Sequence, residues 1–298
     1  MREDPIVSVV LGTYNRLPFL KATIKSVRRE VSDVPHETIV VDGGSTDGTL
    51  RWLVSQKDVI TIVQHNGGMW VGTPITRQSW GYFMNLGFKT AHGKFILMVS
   101  DDCLLVPSSV KNGVEQFETM LTDGRKVGAI AFYWRNWPEQ KDYWVGLTLG
   151  DKMFVNHGLF LRSALAEVGW AEEDLYRFYH ADGDLCLKLW KAGWEVVDCP
   201  NAFVEHYTHA SPETRRTNLS TQPVDWRAYL ERWSGVFYDP TKQNIGGWLH
   251  RSFQDPHNTA RGFPSLPLQQ LLRKIVAHAA TRTVLRLKSK PQASDSST

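Results

Sequence analysis

The residues of this sequence best placed to do chemistry are carboxylates at the ends of apolar runs. Ser100-Asp101-Asp102 follows directly on Phe95-Ile96-Leu97-Met98-Val99, a stretch of the kind buried on both faces in the middle of a parallel sheet. In open α/β sheets the ligand crevice lies outside the carboxyl ends of the strands, so acids at this point face a site and not the core. Neighbouring aspartates repel unless a cation lies close by, and hard divalent ions such as Mg²⁺ or Mn²⁺ prefer oxygen ligands. One expectation is therefore a metal site that holds a phosphate-bearing substrate; the other is a Ser-Asp-Asp turn that caps the next helix. A second acidic group, Asp182-Gly183-Asp184, opens a helical pattern that stops at Gly193. Either acid can act as a general base, and both equally suit a first helical turn, where negative charge complements the helix dipole by ~0.3–1 kcal/mol. Asp42, directly after a β-branched run, can accept hydrogen bonds from the imide or amide N–H of a nucleobase, or be satisfied by the glycine-rich backbone after it. Thr13 and Arg16 can reach ribose or phosphate oxygens, and a neutral His206 at another strand end can complete a metal site begun by Asp102.

The elements that must position these groups alternate. Ile6 to Leu11, Thr38 to Val41, Val59 to Val63 and Phe95 to Val99 read as strands. Leu20, Ile24, Val27 and Val31 recur at helical spacing, Leu50, Leu53 and Val54 mark a second helix with Ser45, Thr46 and Asp47 as N-cap candidates, and Pro74 to Thr90 a third. Such alternation predicts an α/β fold with a parallel sheet built by right-handed crossovers. There follow a helix over Pro107 to Leu121, a strand over Val127 to Tyr133, a helix around Ala164 to Val168, the helix ending at Gly193, a strand over Ala202 to His206 and a helix over Asp225 to Trp233. Trp134 to Val145, which includes Trp134, Trp137, Tyr143 and Trp144, has no period and reads as a binding loop or a sheet edge. Neither G-x-G-x-x-G after the first strand nor a P-loop is present, which makes a metal the better candidate for holding phosphates.

At 298 residues, 42% hydrophobic and 22% charged, the chain has the composition of an ordinary globular protein. A formal charge of +3, without basic residues interleaved with aromatics, argues against a nucleic-acid partner. Cys103, Cys186 and Cys199 are isolated and lack metal spacing, which fits a reducing compartment; with no signal-peptide pattern and no apolar run near the roughly 20 residues of a membrane span, a cytoplasmic location is expected. Gly246 to Pro267 reads as extended wrapping. From Leu268, apolar residues at helical spacing among Arg273, Lys274, Arg282, Arg286 and Lys288 predict a basic amphipathic helix that packs on the domain or a second subunit, or lies peripherally on the inner face of a membrane.

In order, Val9-Val10-Leu11-Gly12-Thr13-Tyr14-Asn15-Arg16, Val40-Val41-Asp42-Gly43-Gly44-Ser45-Thr46-Asp47-Gly48-Thr49, Ala91-His92-Gly93-Lys94-Phe95-Ile96 leading to Ser100-Asp101-Asp102, Gly169-Trp170, and Ala181-Asp182-Gly183-Asp184-Leu185 with Lys191-Ala192-Gly193-Trp194 resemble the inverting nucleotide-sugar glycosyltransferases of family 2. The resemblance implies a GT-A fold, with a Rossmann-like, mostly parallel central sheet and helices on both faces, over residues 1–211. A wrapping segment (212–266), the basic helix (267–288) and a disordered tail (289–298) would follow. It implies Asp182 as the base that deprotonates the acceptor hydroxyl, Asp42 at the nucleobase, and Asp102 with Asp101 at an Mn²⁺ or Mg²⁺ ion on the diphosphate, a site that the strand-end His206 would complete. Thr13, Tyr14, Arg16, Asp42, Asp101, Trp134 and Asp184 would line the substrates: a nucleoside-diphosphate sugar, UDP foremost, and a hydroxyl acceptor, lipid-linked ones included. Two positions depart from the family pattern: Ser100 stands where the first aspartate of the aspartate-x-aspartate motif is usual, and Ala181 where a glutamate usually precedes the base. Rival readings are a catalytically silent sugar-nucleotide-binding protein and a nucleotidyltransferase; the latter would normally show a glycine-rich loop with a basic residue after the first strand.

Overall fold

Valines start the fold. In the computed structural model, which describes residues 4–207, 212–242 and 244–265, β1 (Val7–Thr13) has Val7, Val9, Val10 and Leu11 fully buried. Helix α1 (Leu17–Glu30) turns Leu20, Ile24 and Val27 inward, the face its spacing requires. Strand β2 (His36–Asp42) lies parallel to β1 in a register that sets Thr13 opposite Asp42, so both loops leave the sheet at one edge. None of the three cap candidates is the N-cap of α2 (Thr49–Val54), which is Gly48; Asp47, just before it, accepts from the N–H of Thr49 and of Leu17 and ties this turn to the start of α1. Strand β3 (Val59–Val63) continues the sheet beside β2.

A small ribbon, β4 (Met69–Trp70) with β5 (Thr73–Pro74), comes next and takes Pro74, where the sequence places the start of a helix. Helix α3 (Trp80–Thr90) starts only after Ser79, whose hydroxyl accepts from the N–H of Tyr82 at 3.0 Å. Strand β6 (Phe95–Met98) then inserts on the other side of β1, parallel to it and fully buried.

Beyond β6 the sheet changes character. After β7 (Cys103–Leu105) and α4 (Ser109–Thr122) come β8 (Val127–Asn136), β9 (Tyr143–Thr148), β10 (Lys152–Phe154) and β11 (Gly158–Leu161). β11 runs antiparallel between β6 and β8, so the order is β10-β9-β8-β11-β6-β1-β2-β3 in an eleven-stranded mixed sheet. The parallel expectation thus holds for β6-β1-β2-β3 and gives way where hairpin-like connections replace helical crossovers. The segment from Trp134 to Val145, read as a binding loop or a sheet edge, is strand at its two ends, where β8 runs on to Asn136 and β9 starts at Tyr143, with a turn between them.

Helices α5 (Arg162–Glu167) and α6 (Ala181–Lys191) precede β12 (Glu195–His206), which pairs parallel with β8 and antiparallel with β7. The sequence pattern shows only the second half of β12, because Pro200 and a register shift between Cys199 and Phe203 interrupt it. Gly193 closes α6 at φ +79°, the left-handed stop expected of it. Helix α7 (Pro212–Leu219) and α8 (Gln222–Trp233) follow, and β13 (Gly247–Arg251), inside the segment read as wrapping, adds to β9.

Besides the main core around the sheet, a second cluster of Leu149, Tyr176, Ala181, Leu187, Tyr229 and Trp233 joins α6 to α8; each large side chain buried there contributes roughly 1.5–3 kcal/mol. Residues 1–263 form one unit and 264–298 another. The basic helix and tail expected at 267–298 lie outside the described residues. Among the described residues no helix is long and apolar enough to cross a membrane.

Candidate active site

At the carboxyl edge of β1 and β6 a cavity of about 950 Å³ opens. Asp101 and Asp102, each 3% exposed, stand on its floor, and the cation their repulsion calls for is supplied by the chain itself. Arg16 Nη1 donates to Asp101 Oδ1 at 2.8 Å and to Asp102 Oδ2 at 2.9 Å, while Thr13 Oγ1 donates to Asp101 Oδ2 at 2.7 Å. The guanidinium expected to reach ribose or phosphate is thus engaged by the carboxylates, which lie nearest. Burial opposes its charge, but Asp101 and Asp102 outweigh that and raise its pKa; burial also raises that of Asp101, against the pull of Arg16. The Ser-Asp-Asp turn does not cap α4, whose N-cap residue is Ser108.

On the other side of Asp102 its Oδ1 lies 3.4 Å from Nε2 of His206. Nδ1 of His206 lies 3.0 Å from Oδ1 of Asn136, which orients the ring with Nε2 toward Asp102. The strand ends that carry both residues are locked beneath: Arg135 grips the fully buried Glu205 through two hydrogen bonds of 2.9 and 2.7 Å, and Tyr143 OH donates to the same carboxylate at 2.6 Å. Alternation along β12 sends Glu205 into the core and His206 to the cavity. One carboxylate oxygen and one imidazole nitrogen converging in this way suit a divalent ion such as Mn²⁺, so these residues fit the metal that the resemblance implies. Trp134, 9% exposed, sets its ring edge-on to His206 at 5.6 Å.

Asp182 lines the same cavity. Its Oδ2 accepts from Asn156 Nδ2 at 3.1 Å and its Oδ1 from the N–H of Gly183 at 2.9 Å. Before it, His180 sits at φ +68° with its ring stacked 5.1 Å from Tyr229; a Cβ at Gly183 would lie 2.8 Å from the Tyr229 hydroxyl, which is why the residue between the two acids has no side chain. The approach to α6 is clamped by Asp225, fully buried, which accepts from the N–H groups of Arg177, Phe178 and Tyr179 at 2.9, 3.0 and 2.9 Å. Ala181 is packed in the second core cluster, so where the family's glutamate is usual this chain has an apolar contact.

Thr13, Tyr14, Arg16, Asp101, Asp102, Trp134, Asp182 and His206 therefore share one cavity. Two expected members do not line it. Asp42 is fully buried, its Oδ1 accepting from the N–H groups of Gly44 and Ser45, while Oδ2 has no partner among the described residues; the cavity wall at this point is Gly43. Asp184 is turned into the core. Its Oδ1 meets Arg232 Nε at 2.9 Å, Trp233 Nε1 at 2.9 Å and Tyr176 OH at 3.0 Å, making it a brace between α6 and α8 and not a substrate contact. Two residues on from Asp182 along a helix is the opposite face, which assigns the pair different tasks. Asp184→Ala is accordingly expected to lower stability by about 3 kcal/mol, the low end for breaking a buried pair, because Arg232, 30% exposed, relaxes toward water. Urea unfolding measures this, and an unchanged midpoint would remove the brace.

Sequence reasoning missed Asn136 and Asn156, which hold the two functional groups, the cavity cations Arg77 and Arg177, and Trp248, stacked 4.8 Å from Trp144 at the cavity rim. No local pattern marks them; they reach the site from a loop, a strand end and an edge strand far apart in the chain.

Residues 8–162 match the family described as Glycosyl transferase family 2, and the chain belongs to that family. It is 23% identical to the uncharacterized glycosyltransferase YwdF of Bacillus subtilis, over 79% of this chain and 87% of that protein. It is 24% identical to the N-acetylglucosaminyl-diphospho-decaprenol L-rhamnosyltransferase of Mycobacterium tuberculosis, over 82% and 90%. Among solved structures, the mannosyltransferase PcManGT of Pyrobaculum calidifontis in complex with GDP-Man and Mn²⁺ superposes with a TM-score of 0.56 at 18% identity, over 93% of this chain and 81% of that one. S. aureus TarS in complex with UDP-GlcNAc gives 0.54 at 17%, over 79% and 69%. The fold is GT-A and the protein is a glycosyltransferase, which leaves the nucleotidyltransferase reading without support.

Proposed function

We propose that this enzyme moves a sugar, with inversion, from a nucleoside-diphosphate sugar to an acceptor hydroxyl with the help of Mn²⁺ or Mg²⁺. The observation that carries the reading is the single cavity joining Asp102 and His206 to Asp182, with Arg77 and Arg177 on its wall. Asp102 and His206 would hold the ion, which when bound supplies Lewis-acid stabilisation of the departing diphosphate. Arg77 and Arg177 offer positive charge to the same phosphates. Asp182, its orientation held by Asn156, takes the proton from the acceptor hydroxyl as that oxygen attacks the anomeric carbon. The bond from that carbon to the diphosphate oxygen breaks on the opposite face, so the configuration inverts. Trp134 and Tyr14 provide aromatic walls for substrate rings. A lipid-linked acceptor is in keeping with the name of the mycobacterial relative, and a UDP donor with the TarS complex.

A thermal-shift screen of UDP, GDP, ADP and CDP with and without Mn²⁺ tests the donor side. One nucleotide is expected to raise the midpoint only with Mn²⁺ present, since a ligand at 100 times its Kd stabilises the folded state by about 2.7 kcal/mol. No metal-dependent shift with any of them would overturn the reading.

A further inference from the structure

Behind His206 lies a second set of metal donors that the proposed reaction does not use. Cys103 faces His206 across the β7–β12 ladder, and His157 comes in just before β11. One ligand atom from each of Cys103, His157 and His206 falls within 4.8 Å of the others. Sγ of Cys103 is 3.6 Å from Nε2 of His157 and 3.8 Å from its Nδ1. Zn²⁺, with bonds of about 2.3 Å to sulfur and about 2.0–2.1 Å to nitrogen, holds tetrahedral S and N ligands roughly 3.5 Å apart. The pair stands at that spacing, and because Sγ is almost equidistant from the two ring nitrogens, a turn of the His157 ring brings one lone pair onto a shared ion.

Chemistry and setting agree with the spacing. A thiolate and two imidazoles form a soft donor set that suits Zn²⁺ and contrasts with the oxygen ligands Mg²⁺ and Mn²⁺ prefer. Cys103 and His157 are each 1% exposed, while His206 lines the cavity, so an ion reaches them past His206. Trp134 stands edge-on to both imidazoles, at 6.0 Å from His157 and 5.6 Å from His206, giving the set an apolar wall.

We propose that Cys103, His157 and His206 bind a soft transition ion, Zn²⁺ foremost, and that filling this site draws His206 away from Asp102. Coordination replaces the S–H bond of Cys103 by an S–metal bond, the proton passes to water, and no electron is transferred. The binding claim stands on these three residues alone; the competition rests on the donor-site reading of Asp102 and His206 given above.

Metal-free full-length protein titrated with Co²⁺, a spectroscopic stand-in for Zn²⁺, is the test. The expected result is a thiolate-to-Co²⁺ charge-transfer band in the near ultraviolet that Zn²⁺ abolishes by displacement, absent in Cys103→Ser and weakened in His157→Gln. Both variants should keep Mn²⁺-dependent nucleotide binding, since neither residue lines the cavity, and in the wild type Zn²⁺ should antagonise that binding. No band in the wild type, meaning that Cys103 and His157 share only a hydrogen bond, overturns the site, and that spectrum decides even should a variant not fold. A band that persists in Cys103→Ser overturns it too. A band in a protein without Mn²⁺-dependent nucleotide binding would sink the donor-site reading and leave the zinc site standing.

Discussion

Asp182→Asn is expected to lower turnover by about 10²–10⁴ while nucleotide affinity stays within error of the wild type. The substitution keeps the shape of the side chain and, with its one oxygen toward Gly183, the bond from that N–H; its new NH2 then faces Asn156, whose amide can turn to accept through its own oxygen. What it removes is the basic oxygen that takes the acceptor proton. Asp182 shares its cavity with the donor residues but hydrogen-bonds none of them in the structure, so the loss should fall on kcat and spare donor binding. Steady-state kinetics with calorimetry of the nucleotide separate the two. An active variant would move the base to His180, the other titratable group at the head of α6 that lines the cavity, whose burial holds its pKa below the ordinary histidine value.

Asp102→Asn should abolish the Mn²⁺-dependent part of nucleoside-diphosphate binding. Loss of an outer partner of a metal ligand typically costs about 10–100-fold in metal affinity, and loss of a ligand itself should exceed that. The fold should survive, for a reason visible in the geometry: Arg16 would lose one carboxylate and keep Asp101, so no buried charge is orphaned. Calorimetry with Mn²⁺ and then with chelator makes the comparison. Equal affinity in variant and wild type, with metal present, would take Asp102 out of the site.

How much of this was legible beforehand varies along the chain, and the reasons are physical. The spacing of Leu20, Ile24 and Val27, the buried run Phe95 to Met98 and the glycine stop at Gly193 each follow from interactions within a few residues, so sequence sufficed for them. The ribbon at Met69 to Pro74 and the early half of β12 did not follow, because partner strands and not local preference decide such segments. Family-like motifs in order were enough to foresee a glycosyltransferase and the grouping of Asp102, His206 and Asp182.

The roles of neighbours were another matter. Sequence by itself determined that carboxylates would gather at strand ends, since a buried apolar run must end before a charge can appear. Only the tertiary structure decided which oxygen faces what. It put Arg16 between Asp101 and Asp102, turned Asp184 onto Arg232 while Asp182 met the cavity, and left one oxygen of Asp42 buried behind Gly43. A cation's position and a side chain's face are set by packing between elements distant in the chain, and the free energy of a charge depends on what surrounds it in space, which residue order does not record.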